Sequence, residues 1–384
     1  MSSKKILIGG SVLEAAKKRI AWLFDEFEEV VVSVSRGKDS TVVFELSYAE
    51  AQKRGKTLKC LFLDQEAEWD ATIAEIRKIR DRKGIEMLWY QAGFKINNAS
   101  SYDQDWLYLW EKGKEDVWIR PYEEGSIRTD FGDVEWYDMF PLVTKEQFGN
   151  QKMCYIGGVR TEESPQRARS LTQSETYKGR TWGKKLDERH EQFTFYPIYD
   201  WSYSDVWKAI HDHGWHYNPV YDWMYQYGIS VMDMRVSSLF HESSVRALFF
   251  MQEFEKDNYN RLVKRLQGVD TAGKMSYDHF YCPKELPFMF VSWSEYRDHL
   301  LENLIQDEGH KEGFRKKFEE MEPLYGPYLG DKLHRKQINS IMTNDFGFWK
   351  LDRMVIPREQ YDEFKVHRAN IAKAKKENKN DSRI

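Results

Sequence analysis

The sequence has few cysteines, and the three it contains, Cys60, Cys154 and Cys282, lie far apart. It has no CxxC pair and no Cys/His spacing of the kind that binds metals. We therefore expect no disulfide framework, no iron–sulfur cluster and no zinc site. No run of 18 apolar residues occurs, and the first residues lack the apolar core of a signal peptide. These absences predict a soluble, cytoplasmic protein that does not enter a membrane.

A strong excess of one charge is also missing. The chain carries 58 Lys and Arg against 62 Asp and Glu, a net charge of −4, which does not indicate a general nucleic-acid-binding surface. Aromatic residues are abundant at 15%, and some are expected to line a ligand site or a partner surface. The run at 105–122 could stack on nucleic-acid bases, although such runs more often belong to a core.

The first part of the chain alternates between apolar strand-like and amphipathic helix-like segments. Strands are predicted at 29–35, 57–63, 85–90 and 152–158, and helices at 11–27, 40–54, 67–83, 162–171 and 201–212. Strands that alternate with helices indicate an α/β fold with a parallel sheet. Between them, residues 93–140 show little periodicity and predict an irregular insertion.

The rest of the chain has a different pattern. Helices are predicted at 237–255, 258–266, 294–305 and 308–321, and the end is polar and basic. We therefore divide the chain into an α/β domain at 1–228 and a mostly helical extension at 229–384.

The most informative motif is SRGKDST at 35–41, which joins the first strand to the next helix. A helix N-terminus, a point charge on Lys38 and a glycine at Gly37 together suit a phosphate group. Asp39 suits phosphate only if it orients the loop or holds Mg²⁺. The motif is not a Walker A loop, because Asp39 separates Lys38 from Ser40.

This motif resembles the SGGxDS PP-loop of the N-type ATP pyrophosphatase superfamily, and it is most similar to the 3′-phosphoadenylylsulfate (PAPS) reductase branch. The resemblance implies an adenine nucleotide alpha hydrolase-like fold, a Rossmann-like, doubly wound sheet. It assigns catalytic roles to Lys38 and Asp39. It also implies nucleotide contacts from Ser33, Ser35, Arg36, Gly37, Ser40 and Thr41. Arg36 stands where the first loop glycine usually is, so its guanidinium could lie near the phosphates or point outward.

Three later segments match the same family in order. In LFLDQE, Asp64 and Glu66 match acidic residues close to the nucleotide, or they simply end a strand and cap a helix. In YIGGVRTEESPQRARSL, Gly157 and Gly158 allow close backbone approach, and Arg160 has a catalytic role. Arg167 is either a nucleotide contact or the partner of Glu163 on a surface helix.

The third match, YPIYDWSYSDVWKAI followed by YNPVYD, is expected to be structural. Asp200 and Asp205 would cap or brace, while Trp201 and Trp207 would pack. The helical remainder resembles the C-terminal extension of PAPS-reductase-like proteins of the IbrA/YbdN kind.

The resemblance fails at the cysteine of a true reductase. No E-C-G-x-H-type motif occurs, and the neighbours of Cys282 do not match. We therefore do not assign sulfonucleotide reduction. The histidines His211, His213 and His216 could be metal ligands, but helix C-terminal histidines explain them better.

The resemblance therefore predicts an enzyme, a transferase that binds ATP and Mg²⁺ and cleaves ATP between the α- and β-phosphates to adenylate an acceptor. One alternative is a protein that binds PAPS or adenylylsulfate (APS) in sulfur transfer or nucleic-acid modification. Another is a non-catalytic nucleotide-binding regulator that works with a ParB-like partner. The acceptor and the oligomeric state are open.

Overall fold

A computed structural model describes residues 9–97, 106–231, 234–236, 238–239, 245–266 and 282–381. The chain groups into two compact units. The first comprises Met1–Ile96 and Leu107–Arg265, and the second comprises Asn97–Trp106 and Leu266–Ile384. They are treated separately below.

The strands form two sheets. They are β1 (Glu29–Ser33), β2 (Leu58–Leu63), β3 (Ile85–Tyr90), β4 (Gly93–Asn97), β5 (Trp106–Leu109), β6 (Asp130–Glu135), β7 (Met153–Ile156), β8 (Gly183–Asp187) and β9 (Gln192–Phe195). The main sheet has the order β3-β2-β1-β7-β9-β8. Every pair in it is parallel except β8 with β9. The predicted α/β fold with a mostly parallel sheet is confirmed.

Helices surround this sheet and continue into the second unit. In the first unit they are α1 (Val12–Glu26), α2 (Lys38–Lys53), α3 (Asp70–Arg80), α4 (Trp136–Phe148), α5 (Pro165–Thr172), α6 (Tyr203–His213), α7 (Val220–Gln226), α8 (Val245–Phe254) and α9 (Lys256–Arg265). In the second they are α10 (Trp293–Leu304), α11 (Glu308–Leu329), α12 (Asp331–Met342) and α13 (Tyr361–Asp381). The predicted helical character of the C-terminal region is confirmed.

The sequence prediction was wrong in two places. Residues 93–140, predicted to be irregular, contain β4, β5, β6 and the start of α4. In strand β6 (DFGDVE) the two half-buried residues, Phe131 and Val134, are three positions apart and three side chains are acidic, so the strand lacks the alternating apolar pattern that would predict it. The third helix begins at Asp70 instead of residue 67, and Trp69 immediately before it has an extended backbone with a φ of −63° and a ψ of 136°.

The core of the first unit explains the central strands. Val31 and Val32 of β1 are completely buried, as expected for a parallel strand covered on both faces. At the far side, Phe195 of β9 is also completely buried and packs against Phe27 and Trp182. Apolar burial of this kind is the main stabilising contribution to the unit.

The segment DWSYSDVW has the bracing role that its sequence predicts. Asp200 accepts two hydrogen bonds from the Arg19 guanidinium, both at 2.7 Å. Ser202 caps α6, and the Asp205 carboxylate accepts a hydrogen bond from the Ser202 backbone N–H in a capping box. Trp201 is buried and donates from its indole to the carbonyl of Val12. These contacts tie α1 to the loop before α6.

The second unit has a separate apolar core. Leu301 of α10, Phe314 of α11 and Ile338 of α12 are buried together. Among the described residues, no helix is both long enough and apolar enough to cross a membrane.

We predict that Phe195→Ala destabilises the first unit strongly. Truncation of a fully buried phenylalanine costs about 3–5 kcal/mol, through lost burial and the cavity it leaves. As a matched control, Tyr225→Ala removes a side chain that is 69% exposed and should change stability by less than about 0.5 kcal/mol. Urea denaturation of both full-length variants tests this, and equal midpoints would contradict the assignment of Phe195 to the core.

Candidate functional site

The SRGKDST loop follows β1, the strand at which the order of strands in the sheet changes direction. Strand β1 pairs with β2 on one side and with β7 on the other. The connections that leave β1 and β7 therefore begin side by side at the carboxyl edge of the sheet. Open α/β sheets bind their ligands at such a switch point. The two predicted motifs, 35–41 and 155–171, meet at this edge.

Inside the loop, hydroxyl groups fix the backbone. Ser40 Oγ accepts a hydrogen bond from the Ser35 backbone at 3.0 Å and donates to the carbonyl of Ser33 at 3.3 Å. Thr41 Oγ1 donates to the carbonyl of Gly37 at 3.0 Å. Ser40 and Thr41 thus shape the loop, and direct contacts from these predicted residues to a nucleotide stay predictions.

Arg36 occupies the position at which the family's loop usually has its first glycine. The backbone conformation at this position is one that glycine adopts easily. Its φ is 54°, in the left-handed region that side chains rarely adopt. Its guanidinium turns inward and donates to Glu75 of α3 at 2.6 Å and to the carbonyl of His216 at 3.0 Å. Burial lowers the pKa of this guanidinium. The Arg36 side chain is therefore held in an internal ion pair, and a contact to the nucleotide stays a prediction.

At the start of α2, a residue missed by the sequence prediction contacts the loop. The hydroxyl of Tyr221 accepts a hydrogen bond from the Lys38 backbone at 2.9 Å. A Cβ at Gly37 would lie 3.6 Å from that hydroxyl and from Ser35 Oγ, which is an ordinary contact. The surrounding protein atoms therefore leave room for a Cβ at position 37. Tyr221 belongs to the YNPVYD match that was interpreted as structural.

Asp39 joins two cations. Its Oδ1 accepts a hydrogen bond from Arg160 Nε at 2.5 Å, and its Oδ2 lies 3.0 Å from Lys38 Nζ. The Arg160 side chain is buried and also donates to Glu162 at 3.0 Å. The three predicted catalytic residues are thus in direct contact, and Asp39 can orient both cations toward an anion.

The predicted role of Asp39 in holding Mg²⁺ fits these contacts poorly. Its two oxygens face cations, and the described residues contain no group of three His, Cys, Asp or Glu side chains that could hold a metal. Mg²⁺ in nucleotide sites is usually held by one or two carboxylates together with substrate phosphates. A role for Mg²⁺ therefore stays a prediction.

Gly158 is the glycine that this geometry requires. A Cβ at position 158 would lie 2.7–2.9 Å from the backbone atoms of Asp39 and Ser40. At Gly157 a Cβ would instead meet only the ring of Tyr196, at 3.1 Å. The backbone after β7 therefore packs directly on the first turn of α2. The close approach is thus between two protein segments at Gly158, and the nucleotide contacts predicted for Gly157 and Gly158 stay predictions.

Arg167 lies on α5, and its sequence alternatives are both compatible with the structure. It pairs with Glu163, four residues earlier, as a surface helix predicts. Burial lowers the pKa of Arg167, and so does the nearby charge of Arg235. A nucleotide contact from Arg167 stays a prediction.

Asp64 and Glu66 follow β2 and are both fully buried. Asp64 accepts hydrogen bonds from the Trp89 indole, at 2.9 Å, and from Arg120. Glu66 pairs with Arg265 of α9 at 2.7 Å and accepts from the Trp110 backbone at 2.9 Å. Their carboxylates hold the 106–122 region and α9 to the sheet. These contacts explain why both residues are buried, and their predicted role beside the nucleotide stays a prediction.

Other sequence candidates have structural environments. Trp110 is 2% exposed and stacks with Tyr122, so this part of the aromatic run is core. The side chain of His211 is 90% exposed, whereas His213 bonds to the carbonyl of Ala209. Cys60 and Cys154 are buried, and burial raises the pKa of all three thiols, including Cys282.

We predict that Gly158→Ala weakens nucleotide binding at least tenfold. The added Cβ forces the Asp39–Ser40 backbone to move, and small displacements in a binding loop are costly. Gly157→Ala is the matched control, because only a flexible tyrosine ring must shift there. Titration calorimetry on both variants measures the difference, and equal affinities would show that the close approach is unimportant for binding.

Glu68 gives a pH-dependent prediction. It is 5% exposed, and burial, together with the charge of Asp64, raises its pKa to about 8. Between about pH 4.5 and 8 the folded protein retains a proton that the unfolded chain loses, so stability falls as pH rises. Glu68→Gln should remove this pH-dependent loss. From pH 5 to pH 7.5, the free energy of unfolding of the variant should therefore rise by about 1–3 kcal/mol relative to that of the wild type. Denaturation of both proteins at the two pH values tests this, and parallel pH profiles would contradict it.

Comparisons with known proteins identify the family of the first part of the chain. The sequence profile of the phosphoadenosine phosphosulfate reductase domain family matches residues 29–227. A second profile, described as a domain of unknown function (DUF3440), matches residues 228–380. The predicted resemblance to PAPS-reductase-like proteins is confirmed.

Individual proteins are also similar. Over 324 residues the chain is 29% identical to YbdN from Escherichia coli (strain K12), which covers 79% of this chain and 78% of YbdN. It is 26% identical to an adenosine 5′-phosphosulfate reductase from Bacillus cereus (strain 03BB102), over 52% of this chain and 70% of the relative. A phosphate complex of PAPS reductase from Candida auris superposes with a TM-score of 0.33 at 14% identity, covering 54% of this chain and 84% of that one.

Proposed function

The chain belongs to the phosphoadenosine phosphosulfate reductase domain family, and on that premise we propose that it binds ATP in the 35–41 loop and cleaves it between the α- and β-phosphates. The observation that carries the proposal is the contact of Asp39 with both Lys38 and Arg160. That contact concentrates two cations beside the N-terminus of α2, where an anionic phosphate chain is stabilised.

In the proposed reaction an acceptor nucleophile attacks the α-phosphorus, and the bond to the β-phosphate breaks. The bond electrons leave with pyrophosphate, and the acceptor carries AMP. Lys38 and the α2 backbone hold the departing phosphates, and Arg160 stabilises the charge that develops on them. Asp39 keeps both cations in place.

A second candidate is binding of a sulfonucleotide, PAPS or adenylylsulfate. The similarity to an adenosine 5′-phosphosulfate reductase supports it, and the loop chemistry suits a sulfate ester as well as a phosphate. Reduction is not proposed, because a thiolate is the required nucleophile and burial raises the pKa of Cys60, Cys154 and Cys282. The ParB-like partner and cytoplasmic location stay predictions from the sequence.

We predict that the wild-type chain converts α-labelled ATP and an acceptor to pyrophosphate and either AMP or an adenylylated product. Candidate acceptors are sulfate, nucleic acid and protein. Lys38→Gln should lower ATP affinity at least tenfold because it removes a point charge from the loop. Lys184→Gln, an exposed lysine on β8, is the matched control and should bind as the wild type does.

Ligand ranking separates the two candidates. A ligand present at 100 times its dissociation constant stabilises the fold by about 2.7 kcal/mol, so melting temperatures in ATP, adenylylsulfate and PAPS rank their affinities. Release of ADP in place of pyrophosphate would contradict α–β cleavage. A stronger shift with adenylylsulfate or PAPS than with ATP would favour the second candidate.

A further inference from the structure

Tyr221 reaches the 35–41 loop from a distant part of the chain. It lies on α7 and is 3% exposed. Its hydroxyl oxygen accepts a hydrogen bond from the backbone N–H of Lys38, the first residue of α2, at 2.9 Å. That N–H is one of the N-terminal donors of α2 that have no partner within the helix. The Tyr221 hydroxyl is therefore placed directly against the start of α2, beside the loop.

Contacts with two other helices fix Tyr221 in this place. Its ring packs edge-on against Trp207 of α6, with the ring centres 5.2 Å apart. Just before α7, the completely buried Asn218 donates a hydrogen bond to Thr72 of α3 at 2.7 Å. Asn218 also accepts one from the Val220 backbone at 3.0 Å. The fold therefore sets the position of the hydroxyl before any ligand binds.

The proton of this hydroxyl is not used within the described part of the protein. A tyrosine hydroxyl can donate one hydrogen bond in addition to those that its oxygen accepts. The Tyr221 oxygen accepts from Lys38, but its O–H donates to no residue that the structure describes. Burial raises the pKa of Tyr221, so the proton is retained at neutral pH. A buried donor without an acceptor is costly, and a ligand oxygen would remove that cost.

The space beside Gly37 can receive such an oxygen. A Cβ at position 37 would lie 3.6 Å from the Tyr221 hydroxyl and 3.6 Å from Ser35 Oγ. Ser35 is exposed, and its hydroxyl also has no hydrogen bond to any described residue. Hydroxyl groups bind oxygen acceptors at about 2.5–3.0 Å. Two hydroxyl donors therefore flank the space that glycine leaves open at the loop.

We propose that the Tyr221 hydroxyl donates a hydrogen bond to a phosphate oxygen bound beside Gly37, on the phosphates that leave as pyrophosphate. The proposal rests on the proposed function, in which the loop and α2 hold those phosphates. It adds a ligand contact from the YNPVYD segment, which the sequence marked only as structural. A hydrogen bond from a neutral donor to an anionic oxygen is stronger than one between neutral groups. Because AMP lacks these phosphates, Tyr221 is a determinant of selectivity for ATP over AMP.

Tyr221→Phe removes the hydroxyl and keeps the ring against Trp207. ATP and inorganic pyrophosphate should each bind at least about tenfold more weakly, because the lost hydrogen bond is to a charged group. AMP should stay within about threefold of its wild-type affinity, a change of less than one hydrogen bond to a charged group. Titration calorimetry on the full chain measures all three ligands.

Tyr217→Phe is the matched control. The Tyr217 ring also packs edge-on against Trp207, at 5.4 Å, and its hydroxyl donates to Asp222 instead of facing the loop residue Lys38. This variant should bind ATP, pyrophosphate and AMP as the wild type does.

Gly37→Ala tests the same contact with Tyr221 intact. The added methyl group has room among the protein atoms, and the φ of −66° at this position suits alanine. The melting temperature of the ligand-free chain should therefore stay unchanged. Because the methyl group occupies the space of the phosphate oxygen, ATP and pyrophosphate should again bind at least about tenfold more weakly.

Unchanged ATP affinity in Tyr221→Phe or in Gly37→Ala would overturn the contact and leave the proposed function intact. An equal loss for AMP in Tyr221→Phe would also overturn it, because Tyr221 would then act only by shaping the loop through Lys38. If the wild type binds neither ATP nor pyrophosphate, the nucleotide site itself fails, and the contact with it.

Discussion

The site depends on one steric constraint, the contact between the backbone at Gly158 and the first turn of α2. A Cβ at Gly158 would lie within 3 Å of the Asp39 and Ser40 backbone. Because β1 and β7 are neighbours in the sheet, this contact brings the loop after each strand against the other. The ion pair between Asp39 and Arg160 is possible only at that separation. Backbone packing therefore comes first, and the charge arrangement follows from it.

The charged residues divide into two groups with different tasks. Asp64 and Glu66 are buried and bind arginines that are distant in sequence, Arg120 and Arg265. Removal of one partner from such a buried pair leaves an uncompensated charge, which is costly. Lys38 and Arg160 at the loop, in contrast, share the carboxylate of Asp39, and Arg160 also pairs with Glu162. The first group holds the fold together, and the second remains at the edge where a ligand can reach it.

The sequence predicted the parallel sheet well because its buried strands are continuous apolar runs, as at 30–32 and 60–63. The resemblance to the family also assigned Lys38, Asp39 and Arg160 to one site, and the structure brings Asp39 into contact with both cations. The sequence prediction missed β6, whose residues show no regular apolar alternation, and it missed Tyr221 as a neighbour of the loop. The position of Tyr221 depends on how a later segment returns to the sheet, and no local periodicity encodes such a long-range contact.

Arg36 has a consequence for the thermodynamics of ligand capture. A glycine in this left-handed position would leave the free loop many conformations, and ordering it would oppose binding. Here the side chain is anchored to Glu75, so the loop is ordered before any ligand arrives. The unfavourable φ of 54° is maintained by that ion pair. The loop therefore gives up adaptability in return for a smaller entropic penalty, and Glu75 becomes a determinant of loop order through its ion pair with Arg36.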